Sequence, residues 1–154
     1  MIVLVTDSTA YLTRQEARAL GVLQVPMSYV YAGDAPRLEG YAGENTPSAP
    51  PEEGGHSTAQ ASLAAFSAVL EEVVAKGDQA LVITISSRLS GTHANALKAA
   101  QELGEDRVAV VDSKTTAGAL YLMLARARGW IDAGLPLGEV AARVKKAREK
   151  SCTF

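Results

Sequence analysis

The sequence predicts an α/β fold in which a mainly parallel sheet carries helices on both faces. Two observations lead there: short apolar runs alternate with longer amphipathic ones, and several apolar runs end abruptly in clusters of hydroxyl residues. The alternation is that of repeated strand–helix–strand units, and polar strand ends are what the carboxyl edge of such a sheet presents to solvent. A third observation sets the scale. A chain of 154 residues, 47% hydrophobic and 21% charged with mean hydropathy +0.05, makes a single α/β lobe with a real core over 1–154.

Taken in order, "MIVLVTD" at 1–7 reads as a first buried strand. Thr13 with Glu16 three residues later forms a capping box that opens a helix through Leu20. Residues 21–33 read as one or two strands broken at Pro26, because proline cannot donate to a ladder. Residues 34–56 hold four of the six prolines and read as a flexible Pro/Gly-rich insertion, or as a loop that folds over a ligand. Strand regions follow at 77–86 and 106–113. Helices are expected over 63–77, 91–104, 115–134 and 137–150. In the last, Val140, Val144 and Ala147 share one face while Arg143, Lys145, Lys146 and Arg148 sit largely elsewhere. "SCTF" at 151–154 reads as the start of a crossover strand.

Several functions are excluded at this point. A net charge of −2 leaves no basic face for a nucleic-acid backbone. No apolar run approaches the ~18 residues of a membrane span and no signal segment precedes "IVLVTD", so a cytoplasmic location without stable membrane insertion is expected. Cys152 is the single cysteine, able to form neither an internal disulfide nor a cysteine metal cluster. Walker A, "GxGxxG", "HExxH" and Cys/His metal spacings are absent, so no cofactor and no metal are expected. Asp7 and Asp112 are the only candidates for an acidic metal-binding pair. Without a "GxSxG" elbow or a base beside a nucleophile, no catalytic residue is assigned.

The hydroxyl clusters stand at 6–9, 56–62, 86–92 and 111–116. Helix capping accounts for some of them: Ser113 as an N-cap, Ser57 with Gln60 as a second capping box, and Ser62 as a simple cap. Ser8 and Thr9 lie too far before Thr13 to cap its helix, and "SGT" offers more hydroxyls than one helix end can use. Ser90 and Thr92 beside Gly91, whose missing side chain admits close approach to backbone N–H groups, make a cradle for a carboxylate or phosphate. His93 stands one position into the following helix, either as a ligand contact or as an exposed helix residue. His56 has no defined context.

"VTDSTAYL" at 5–12, "TAQAS" at 58–62, "ISSRLSGTHANA" at 85–96 and "VVDSKTTAGALYLMLARA" at 110–127 together resemble the DegV family of bacterial fatty-acid-binding proteins. The resemblance covers essentially the whole chain. It implies a protein of two α/β lobes holding a long-chain fatty acid, with the carboxylate on Thr58 and Ser90; the strand-end hydroxyls and their neighbours add Gly91, Thr92, Ser62, Thr9, Ser8 and His93 as candidate ligand contacts. It further implies a carrier subunit without catalysis of its own, presenting the acid to a separate ATP-using fatty acid kinase subunit. Ala59 and Ala61 depart from the serine and proline usual in the second motif. Family members are roughly twice as long, so the chain corresponds to the N-terminal lobe, and a C-terminal lobe or a second copy is expected to cover its open edge. Two other readings stay open: a phosphotransferase-like or phosphometabolite-binding domain, and an interaction lobe with no ligand.

Overall fold

The computed structural model describes residues 1–31, 34–44 and 55–150. Its strands are β1 (Ile2–Asp7), β2 (Val22–Val25), β3 (Ser28–Tyr31), β4 (Arg37–Leu38), β5 (His56–Ala59), β6 (Gln79–Thr84) and β7 (Val108–Asp112). Its helices are α1 (Arg14–Leu20), α2 (Leu63–Ala75), α3 (Thr92–Gln101), α4 (Ala117–Asp132) and α5 (Leu137–Arg148), with a 3-10 turn at Ser8–Ala10.

The main sheet runs β2-β1-β6-β7 and every pair in it is parallel. Successive strand residues point to opposite faces, so β1 sends Leu4 to one layer and Val5 to the other. Leu4, Leu81, Ile83 and Val111 pack with Leu120, Leu124, Val140 and Val144, which places α4 and α5 on one side together with Ala17 of α1. Val5, Val25, Val82 and Val108 pack with Phe66, Leu70, Ala96 and Ala99, so α2 and α3 cover the other side. Strands buried on both faces need apolar residues at every position, and that need produced the runs visible in the sequence.

The expected Thr13–Glu16 capping box is present: Glu16 N donates to Thr13 Oγ1 at 3.2 Å and Thr13 N to Glu16 Oε2 at 2.8 Å. The break at Pro26 separates β2 from β3, and the two strands belong to different sheets. β3 is the middle of a second, antiparallel sheet of order β4-β3-β5.

That sheet corrects one expectation. Ser57 is a strand residue opposite Val30 and forms no capping box with Gln60. Ser62 alone caps α2, accepting from Ala65 N at 3.1 Å. Ser113 is not an N-cap either: its hydroxyl donates to Thr115 O at 3.0 Å and accepts from Thr115 N at 3.1 Å, while α4 begins after Thr116. The turn closes locally first, so the serine is spent before the helix starts. Of the segment 34–56, residues 45–54 fall outside the described residues. Residues 34–44 carry β4 and then fold back, with Ala42 N donating to Leu12 O at 2.8 Å and Tyr41 packed on the core. The strand expected at 151–154, and Cys152 with it, also lie outside the described residues.

Candidate functional site

The hydroxyl clusters converge at the carboxyl ends of β1, β6 and β7, where the strands stop and the chain turns into 3-10 and α-helical caps. Asp7 ends β1 fully buried. One of its oxygens accepts from Thr9 N at 3.0 Å and Thr9 Oγ1 at 2.5 Å, and the other accepts from Ile85 N at 2.7 Å. Burial pushes the carboxyl above its ordinary 3.8, against the opposing pull of those hydrogen bonds. Ser8 Oγ donates to Glu39 Oε2 at 2.5 Å and accepts from Met27 N at 3.0 Å. The hydroxyls of Ser8 and Thr9 therefore join the end of β1 to the small sheet and to Asp7.

The stretch after β6 divides its hydroxyls by depth. Ser86 is buried and turns the chain, its carbonyl accepting from Leu89 N at 3.0 Å and Ser90 N at 3.2 Å. Ser87 N donates to Asp112 Oδ1 at 3.1 Å, and Lys114 Nζ reaches Asp112 Oδ2 at 2.6 Å. Burial alone would raise Asp112, but the hydrogen bonds from Lys114 and Ser87 outweigh it and hold the carboxyl well below the usual range. Asp7 and Asp112 end strands separated by β6, and both carboxylates are engaged by hydrogen bonds. Among the described residues no group of three or more His, Cys, Asp or Glu could hold a metal ion.

Ser90, Gly91 and Thr92 form the entry to α3. Ser90 Oγ and Thr92 Oγ1 lie 2.9 Å apart, Ser90 Oγ also accepts from Thr92 N at 3.2 Å, and Thr92 Oγ1 accepts from Ala61 N at 3.2 Å. Two hydroxyls bring two protons and their mutual bond uses one. Thr92 is fully buried and Ser90 is half-buried, so of the two hydroxyls only that of Ser90 is accessible from outside. Asn95 Nδ2 donates to Ala61 O at 2.9 Å, so α3 grips the backbone of Ala61 from both sides. Gln60 lies over Gly91 so closely that a Cβ there would stand 2.1 Å from Gln60 Oε1. The 58–62 segment is thus seated on the "SGT" turn.

His93 Nδ1 lies 3.0 Å from Thr84 Oγ1, and burial, with Lys114 and Arg148 adding to it against Asp112, pulls the ring below its ordinary 6.5. The folded chain takes up this proton less readily than the unfolded chain, so the stability His93 confers is lost as pH falls through 6.5. Melting temperatures of the wild type and His93→Gln, measured from neutral pH downward, should converge or cross below that value. Parallel curves would contradict the assignment.

A cavity of about 500 Å³ opens between the 3-10 turn and the face of the small sheet. Of the residues expected to bind ligand it takes in Thr9 and Thr58, whereas Ser8, Ser62, Ser90, Gly91, Thr92 and His93 do not line it. Its wall is made of residues that sequence reasoning missed: Tyr11, Met27, Tyr29, Tyr31, Glu39 and Tyr41. Tyr29 and Tyr31 share one strand face with ring centroids 5.5 Å apart, edge to face. A signal was available, since four of the five tyrosines fall between positions 11 and 41. No helix among the described residues is long and apolar enough to cross a membrane.

Comparison with known proteins gives this arrangement a context. Residues 1–154 match the family described as "Uncharacterised protein, DegV family". A DegV domain-containing protein of Deinococcus radiodurans is 35% identical over 156 residues, covering 94% of this chain and 52% of the relative. The chain thus spans about half the length of the curated relative it matches. A DegV family protein from Thermus thermophilus, whose structure concerns fatty acid binding, superposes with a TM-score of 0.85 at 32% identity over 96% of this chain and 53% of that one. A DegV lipid-binding protein from Thermotoga maritima superposes with a TM-score of 0.83 at 25% identity, over 97% and 54% of the respective chains. With the family match running the full length of the sequence and the same fold recurring in these relatives, the chain belongs to the DegV family.

Proposed function

We propose that this chain binds a long-chain fatty acid, its carboxylate on the hydroxyls of Ser90 and Thr58 and its alkyl tail in the tyrosine-lined cavity. The observation that carries the reading is the half-buried Ser90 hydroxyl, 2.9 Å from the buried Thr92 hydroxyl, at the N-terminus of α3 beside the segment that holds Thr58. A helix N-terminus favours an anion, and an accessible hydroxyl there adds a donor. The cavity of about 500 Å³, walled by Met27 and four tyrosines, supplies the volume for the tail. Each methylene buried in it contributes ~0.8 kcal/mol, so the tail provides most of the affinity and the hydroxyls set the orientation. Fatty acid binding by the Thermus thermophilus relative supports the same reading.

In this reading the chain is a lobe of a carrier with no chemistry of its own. It holds the acid for a separate ATP-using kinase subunit, and its carboxyl edge is completed by a C-terminal lobe or a second copy. Mass analysis of an organic extract of the purified protein should return a long-chain fatty acid in near-stoichiometric amount. A phosphorylated metabolite in its place would support a phosphometabolite-binding domain. An empty protein that also fails to take up added fatty acid would support a ligand-free interaction lobe.

A further inference from the structure

We infer that Glu39 is a specificity-determining residue of the tyrosine-lined cavity, admitting uncharged or cationic ligand tails and rejecting anionic ones. The inference rests on the proposed placement of the fatty acid head at Thr58. β3 pairs Tyr29 with Thr58 of β5 on one side and Ser28 with Leu38 of β4 on the other. The next position of the second ladder sets Glu39 against Met27, and Glu39 N donates to Met27 O at 2.8 Å. Met27, Tyr29, Arg37, Glu39 and Thr58 therefore share one face, with Arg37 straight across from Thr58 beyond Tyr29 and Glu39 on the diagonal two residues further along, roughly 12 Å from Thr58. A tail leaving Thr58 over Met27 and Tyr29 runs toward Glu39.

The carboxylate it meets there has no paired cation, because Arg37, two residues away on the same face, is bound to Asp34 at 3.0 Å. Ser8 donates to one oxygen at 2.5 Å, and Glu39 takes part in no ion pair among the described residues. Arg14, stacked 4.6 Å over the Tyr41 ring of the cavity wall, is spent on Glu44 through two bonds of 2.7 Å. Glu39 is half-buried, so its charge is screened less than a surface charge would be. An alkyl tail passes such a group at little cost, a second carboxylate is repelled by it, and an ammonium is drawn both to it and to the tyrosine faces.

Three probes of equal length separate these outcomes: a monocarboxylic acid, the dicarboxylic acid and the ω-amino acid, each titrated over a series of rising chain length. Against the wild-type chain, the dicarboxylic acid should bind about tenfold more weakly than the monocarboxylic acid at the length that reaches Glu39, and the ω-amino acid more tightly than the dicarboxylic acid. In Glu39→Gln, which keeps an acceptor for Ser8, the ratio of mono- to dicarboxylic acid should shrink several-fold and the advantage of the ω-amino acid should disappear. The ordering in the wild type tests the inference without any variant. Equal affinity for all three probes in the wild type, or ratios that Glu39→Gln leaves unmoved, would overturn the role of Glu39 while leaving fatty acid binding intact. If the monocarboxylic acid itself does not bind, the reading of the site fails, and this inference with it.

Discussion

Replacing Asp7 with alanine is expected to destabilise the fold by about 3–5 kcal/mol, the largest effect of any single polar change in this protein. The carboxylate collects three donors, Thr9 N, Thr9 Oγ1 and Ile85 N, at a fully buried position. Alanine leaves both backbone N–H groups inside the protein with no acceptor, and each such group carries a desolvation penalty of ~1–3 kcal/mol. The Ile85 bond also ties the end of β1 to the residue that follows β6, across 78 positions of sequence. Its loss loosens the sheet edge from which the candidate site is built. Urea unfolding of the variant should show a lower midpoint with an unchanged slope. A midpoint within experimental error of the wild type would mean that Asp7 is not the organiser of this edge.

The second large effect falls on ligand binding. Thr58→Val removes a hydroxyl from an exposed strand position on the cavity wall and keeps the shape of the side chain. Its stability should match the wild type, while fatty acid affinity falls roughly tenfold, the value of one hydrogen bond to a charged group. Ser90→Ala should reduce affinity by at least as much. It should also cost about 1 kcal/mol of stability, because Ser90 Oγ accepts from Thr92 N and pairs with Thr92 Oγ1 at the start of α3. The two variants separate the roles, since only loss of affinity is common to both. If Thr58→Val binds fatty acid as the wild type does, the carboxylate does not sit on β5. Should Ser90→Ala lose stability alone, its hydroxyl is a helix cap and nothing more.

Much of this was legible because local chemistry and tertiary structure agreed. The β1, β6 and β7 runs are apolar at consecutive positions because each strand is covered on both faces, and a buried parallel strand leaves that mark in the sequence wherever it occurs. Thr13 with Glu16, and Ser62 before α2, satisfy helix ends through bonds between residues three positions apart. The motifs at 5–12, 58–62, 85–96 and 110–127 were enough for the family, because each encodes a local turn at a strand end.

What only the tertiary structure decided are the contacts made between distant segments. β5 is a strand because β3 lies beside it, and "HSTA" alone carries the hydroxyl pattern of a helix entry as readily as that of an edge strand. The cavity wall draws Tyr11 from a turn, Tyr29 and Tyr31 from β3, and Glu39 and Tyr41 from a Pro/Gly-rich stretch whose composition predicts no packing. Ser8 could be seen to lack a cap to serve, but not that Glu39, 31 residues away, receives its proton. Period and capping are properties of neighbours in sequence, so one chain determines them by itself. Which distant side chains share a cavity depends on strand pairing and layer packing, and these are settled only when the whole core forms at once.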